Sequence, residues 1–243
     1  MKFLFLFLLL FNTIFAQNLK IAVSANVSYA IDDLIKAYKE KNSTNIEVTI
    51  GSSGKLSAQI LNGAPYDIFL SANTSYPQKL YQKGISKIAP KVYVKGVLVL
   101  FSTKKIDLKD GLNTLTKNSI KKIAIANDKT APYGKATKEA LLKKNLYYKL
   151  KPKFIYGQSI GQTLIFTLKA ADVGIVAKSL LYSKELSKYK EGVDFVQIDS
   201  SLYTPIKQGA LLIGTSKEAK DFYNFLFSKE AKVIFKKYGY IVE

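Results

Sequence analysis

The 243-residue sequence contains no cysteine, no histidine, no arginine and no tryptophan. Without cysteine there can be no disulfide and no thiolate-bound metal. Without histidine there is no Ser-His triad, and the commonest side-chain ligand of transition metals is gone. The missing arginine bears on the charge, because the net charge is +19 and all 37 basic residues are lysine. Bidentate reading of phosphates and guanines is mainly arginine's work, and the lysines are scattered rather than clustered. No nucleic-acid partner is expected. The lysines read as a solvated basic surface that also steers small anions toward a cleft, an effect that fades with salt. Catalysis has little left to work with. Ser102-x-x-Lys105 and Ser119-x-x-Lys122 have a Ser–Lys spacing, but a chain this rich in lysine produces such pairs by chance, and no Lys-Thr-Gly companion exists. The glycines between Gly51 and Lys55 stand too close together for a phosphate loop. Asp32 and Asp33 suit the first turn of a helix, and Asp67 reads as a brace rather than an acid or base. An enzyme is not expected, and neither is a cofactor.

What is present is a globular chain with a leader. Hydrophobic residues make up 48%, which argues against disorder, and the length allows one large or two modest domains. Lys2 followed by the Leu/Phe run to Phe11 and by Ala16 reads as a signal peptide over residues 1–16, too short to anchor in a bilayer. No cysteine follows the run, so a soluble exported protein without a lipid anchor is expected from about Gln17. Beyond it, short apolar strands alternate with helical periodicity, which implies largely parallel α/β sheets. The run Val92–Phe101 is expected as one strand and Ser179–Lys188 as a helix.

Four junctions between strand and helix stand out. Gly51-Ser52-Ser53-Gly54 follows the strand Ile46–Ile50 and precedes the helical spacing of Leu56, Ile60 and Leu61. Ser24-Ala25-Asn26-Val27, Thr130-Ala131-Pro132-Tyr133-Gly134 and Gly157-Gln158-Ser159-Ile160-Gly161 repeat the design. The first N–H groups of a helix lack partners and its dipole favours negative charge, so such junctions suit an oxyanion. The plainer alternative at the first of them is that Ser52 or Ser53 merely caps a helix. Two α/β lobes are expected, the chain crossing between them near Val97–Phe101 and Ile206–Leu212, with a ligand cleft at the carboxyl ends of the strands.

The run Gly51 to Ala72, with Ser-Ser-x-x-Leu-x-x-Gln-Ile and Gly-Ala-Pro-x-Asp-x-Phe-x-Ser-Ala, resembles the periplasmic molybdate-binding proteins of ABC-type importers. The likeness extends through Ala25-Asn26, Pro132-Tyr133-Gly134, Gly174-Ile175-Val176 and Phe235-Lys236-Lys237-Tyr238-Gly239, and so over the whole mature chain. It implies a two-lobed periplasmic-binding-protein fold, a mixed, mainly parallel sheet in each lobe, with residues 17–98 and 207–243 in one and 99–206 in the other. It implies a periplasmic protein, acting as a monomer, that binds molybdate or tungstate through hydrogen bonds alone and hands it to an inner-membrane ABC permease. Carried over by position, the resemblance assigns Asn26 as a ligand through side-chain and backbone donors. It gives Ser53 a hydroxyl and an N–H, makes Tyr133 the third-junction ligand, and leaves Ile160 a backbone N–H, with Ala25 and Ser52 beside them. Ala177 stands where many members carry a tyrosine, which removes one donor that Tyr133 is positioned to replace. A carrier for sulfate or another tetrahedral oxyanion is the alternative within this class. A lysine-rich adhesion protein is the alternative outside it.

Overall fold

The computed structural model describes residues 18–242; the expected signal peptide lies outside them. In chain order the elements begin β1 (Leu19–Ser24), α1 (Ala30–Lys39), β2 (Ile46–Gly51), α2 (Ser53–Leu61), β3 (Ile68–Ser71), α3 (Ser75–Gln82), β4 (Lys91–Gly96) and β5 (Leu98–Phe101). They continue with β6 (Ile123–Ala126), α4 (Pro132–Lys143), α5 (Tyr147–Leu150), β7 (Phe154–Gly157), α6 (Ile160–Lys169) and β8 (Val173–Ala177). The last are β9 (Phe195–Gln197), β10 (Ile206–Leu212), α7 (Lys217–Phe225) and α8 (Lys229–Lys237).

Two five-stranded sheets result, in the orders β2-β1-β3-β10-β4 and β7-β6-β8-β5-β9. In each, four strands run the same way and one runs against them: β10 against its neighbours β3 and β4, and β5 against its neighbours β8 and β9. The first sheet is covered on both faces, which is why β1 and β3 are nearly continuous apolar runs. Successive side chains point to opposite faces, so Ile21, Val23, Ile68 and Leu70 join Leu34, Phe222 and Phe235 in one core. Ala22 and Phe69 join Leu56, Ile60 and Leu80 in the other. Asp67 braces this sheet as expected: its carboxylate accepts from the Lys20 N–H at 2.8 Å, and its carbonyl accepts from Ile213 and Gly214.

Two expectations need correction. Val92–Phe101 is not one strand. Gly96 pairs with Ile206 in the first sheet and Leu98 with Ala177 in the second, so the chain changes sheets at Val97. Ser179–Lys188 is not an α-helix but two 3-10 turns, Lys178–Tyr182 and Lys184–Leu186, separated by Ser183 in extended backbone (φ −68°, ψ 156°). The chain returns to the first sheet through residues 203–205. The ion pairs among the described residues stay within one half of the molecule. Lys41–Glu230 and Lys237–Asp33 lie in the first, Lys138–Asp128 and Lys178–Glu191 in the second.

Candidate functional site

Each half turns the carboxyl ends of its parallel strands toward the other. A 3-10 turn at Ala25–Val27 follows β1, α2 starts directly after β2, α4 follows β6 after a short loop, and α6 follows β7. Ala25, Asn26, Ser52, Ser53, Tyr133 and Ile160, all selected from sequence, line one cavity, together with Ser24, Gly51, Ala72, Ala131 and Pro132. The void measures about 10 Å³, and it is enclosed by residues of both halves. No charged side chain lines it. Lys55 and Lys135 stand in neighbouring grooves.

The three helices present their first turns, whose N–H groups have no intrahelical acceptor. In α2, Ser52 occupies the cap position without making a side-chain cap bond, and its hydroxyl is buried with no protein partner. The simple capping reading therefore fails for Ser52. The Ser53 hydroxyl oxygen accepts from the Ala72 N–H at 2.9 Å, which leaves its proton to be donated elsewhere. In α6, the Ser159 hydroxyl accepts from the Gln162 N–H at 3.2 Å and holds the turn that carries Ile160. In α4, Pro132 takes the first helical position, which needs no N–H, and Tyr133 the second.

Asn26 sits differently from what the resemblance implies. Its side-chain amide donates to Gln208 Oε1 at 2.8 Å and to the Tyr240 hydroxyl at 3.0 Å, and its Oδ1 accepts from the Ser24 hydroxyl at 2.8 Å. Both amide hydrogens are spent inside the protein, so what Asn26 can offer a guest is its backbone N–H. Its carbonyl accepts from Tyr240 at 2.7 Å and from the Ser179 hydroxyl at 2.8 Å, which fixes the turn from both halves. Among the lining residues Tyr133 is the one tyrosine; Ala177 is buried at the end of β8, opposite Leu98. Burial, and then the neighbouring hydroxyls of Tyr240, Tyr93 and Tyr203, push the Tyr133 phenol well above its ordinary value, so at neutral pH it carries its proton.

The halves meet around this cavity through neutral hydrogen bonds. The Gly54 N–H donates to the Thr130 carbonyl at 2.9 Å and the Tyr76 hydroxyl to the Lys129 carbonyl at 3.2 Å. Gln208, Tyr240 and Ser179 carry no motif that marks them in the sequence. The one available signal was a glutamine inside strand β10, where it is fully buried. Among the described residues no cluster of acidic side chains could hold a metal ion. No described helix is long and apolar enough to cross a membrane.

Comparison with known proteins agrees with this fold. The molybdate-binding protein ModA of Rhodobacter capsulatus is 36% identical over 227 residues, covering 91% of this chain and 87% of that one. ModA of Azotobacter vinelandii is 33% identical over 230 residues, 93% of this chain and 90% of its own. The solved periplasmic molybdate-binding protein of Azotobacter vinelandii superposes with a TM-score of 0.86 at 30% identity, over 93% of this chain and all of that one. Residues 19–241 match the family described as bacterial extracellular solute-binding protein, and the chain belongs to that family.

Proposed function

We propose that the cavity binds molybdate, and tungstate equally well, as an intact tetrahedral dianion, and that the protein is the exported carrier that hands it to an ABC permease. The observation that carries this reading is a buried, uncharged cavity lined by donors, in which the Ser52 hydroxyl has no protein partner. The names of the relatives at 33% and 36% identity support the choice of guest. The proposed ligands are the N–H groups of Ala25, Asn26, Ser53, Tyr133 and Ile160 and the hydroxyls of Ser52, Ser53 and Tyr133. A division into two lobes is part of the proposal, with the expected bounds, 17–98 with 207–243 and 99–206, each moved by one residue because Leu98 pairs in the second sheet and Ile206 in the first. Its support is that β1–β4 and β10 share one sheet and β5–β9 the other.

A dianion can be held without counter-charge when each oxygen receives charge-assisted bonds from fixed dipoles. At about 1.5–3 kcal/mol each, six or seven such bonds reach the ~12 kcal/mol of nanomolar binding, before the costs of ordering. A donor-only wall offers nothing to the O–H of hydrogen phosphate and rejects it. Sulfate carries no proton and is rejected by size, because its shorter S–O bonds leave some donors out of reach. Tungstate, nearly the size of molybdate, passes.

A thermal-shift panel followed by calorimetry tests the reading. Molybdate and tungstate are expected to raise the melting temperature, sulfate and phosphate to leave it unchanged. A shift with sulfate alone would make this a sulfate carrier; no shift with any of them would end the proposal. Closure has its own test at Gly54, where an added Cβ would lie 2.9 Å from the Thr130 carbonyl and 2.8 Å from the Tyr76 hydroxyl. Gly54→Ala is expected to hold the halves apart and weaken molybdate binding about tenfold or more. Small-angle scattering should then show less compaction with molybdate than in the wild type.

A further inference from the structure

The hydrogen bonds beneath the cavity run in one direction, and Gln208 sets it. Its side chain, fully buried in β10, makes three bonds. Oε1 accepts from Asn26 Nδ2 and from the Tyr93 hydroxyl, both at 2.8 Å, and Nε2 donates to the Tyr133 hydroxyl oxygen at 3.1 Å. This orientation is forced from outside. The Tyr240 proton goes to the Asn26 backbone carbonyl at 2.7 Å, so the Tyr240 oxygen accepts from Asn26 Nδ2, and the group that Asn26 turns to Gln208 is that same donor and has to meet an oxygen. The amide of Gln208 must then face Tyr133. The Tyr133 proton goes to no acceptor among the described residues. Gly96, the last residue of β4, is what lets the pair meet: a Cβ there would overlap the Tyr133 hydroxyl and stand 2.7 Å from Gln208 Nε2.

We infer that Gln208 is a positioning residue for anion selectivity: by donating to the Tyr133 oxygen it obliges the phenol to act as a donor toward the cavity. A free phenol could turn either its proton or a lone pair to a guest, and the lone pair would accept the O–H of hydrogen phosphate. Gln208 removes that choice without touching the guest. The inference rests on reading the cavity as an oxyanion site and deepens it.

The test is Gln208→Glu in the mature chain, with molybdate affinity measured by calorimetry and hydrogen phosphate by competition, at slightly alkaline pH where phosphate is the singly protonated dianion. A carboxylate at 208 has no N–H to donate; it accepts a hydrogen bond from the Tyr133 O–H and so turns the phenol's lone pairs inward. Its charge weakens both dianions alike, so the readout is their ratio, which a merely structural role would not move. The ratio of molybdate to phosphate affinity is expected to fall about tenfold or more, and an unchanged ratio overturns the inference. If that variant does not fold, Tyr133→Phe decides. Molybdate affinity is expected to drop about tenfold or more with the phenol proton gone, and an unchanged affinity overturns it. A wild-type chain that binds no tetrahedral oxyanion removes the proposed function and this inference together. Wild-type binding with an unchanged ratio in the variant removes only the role of Gln208.

Discussion

Replacing Ser53 with alanine is expected to lower molybdate affinity by about two to four orders of magnitude. Two effects add. The Ser53 hydroxyl is fully buried at the cavity wall, and its oxygen is engaged by the Ala72 N–H, so its proton is the part that faces a guest. Losing that bond to a dianion costs about 1.5–3 kcal/mol. The same change leaves the Ala72 N–H without its acceptor. On the closure proposed above, water reaches that group while the halves are apart, and closing over the anion buries it unpaired, at about 1–3 kcal/mol. Calorimetric titration checks the result, and a loss of less than tenfold would contradict the place given to Ser53.

Asn26→Asp is expected to abolish measurable binding by a different route. The side chain of Asn26 serves the protein, donating to Gln208 Oε1 and to Tyr240. A carboxylate there faces an acceptor where it used to donate, and it adds negative charge beside the anion site. A buried charge left without a partner costs about 3–5 kcal/mol of stability, so the melting temperature of the guest-free protein should fall as well. The pH dependence has a definite sign. Desolvation raises the pKa of a buried carboxyl above its unfolded value, so the folded variant binds the proton more tightly than the unfolded chain. The variant should therefore regain stability as the pH falls into the mildly acid range, and a melting series against pH shows whether it does. Asn26→Ala removes the donor without the charge and should not show that recovery.

These two residues also mark what could be read from the chain alone. Ser52, Ser53, Tyr133 and Ile160 were legible because each lies within two residues of a strand-to-helix junction, and junction chemistry is local: small residues, hydroxyls, a proline at the first helical position. The side-chain role of Asn26 was not. It is set by Gln208 and Tyr240, 182 and 214 residues away, and only the antiparallel insertion of β10 between β3 and β4 brings Gln208 under the cavity. The strands and most helices followed from apolar periodicity. The change of sheet at Val97 did not, because Val92–Phe101 is apolar almost throughout and apolarity says nothing about which sheet a residue joins. The 3-10 turns after β8 escaped for a similar reason. Leu180, Leu181 and Leu186 bury as a helix would bury them, while the break at Ser183 leaves no mark in the hydrophobic pattern.

The seam around the cavity is joined by amide and hydroxyl bonds, and the ion pairs among the described residues lie within one half or the other. A member of an extracellular solute-binding family meets media of different ionic strength. Dissolved ions weaken the pull that an excess of lysines exerts on an approaching dianion, so capture slows as the medium becomes saltier. A seam of neutral groups gives those ions little to screen. Once shut, the protein should keep its cargo for the same dwell time in either medium.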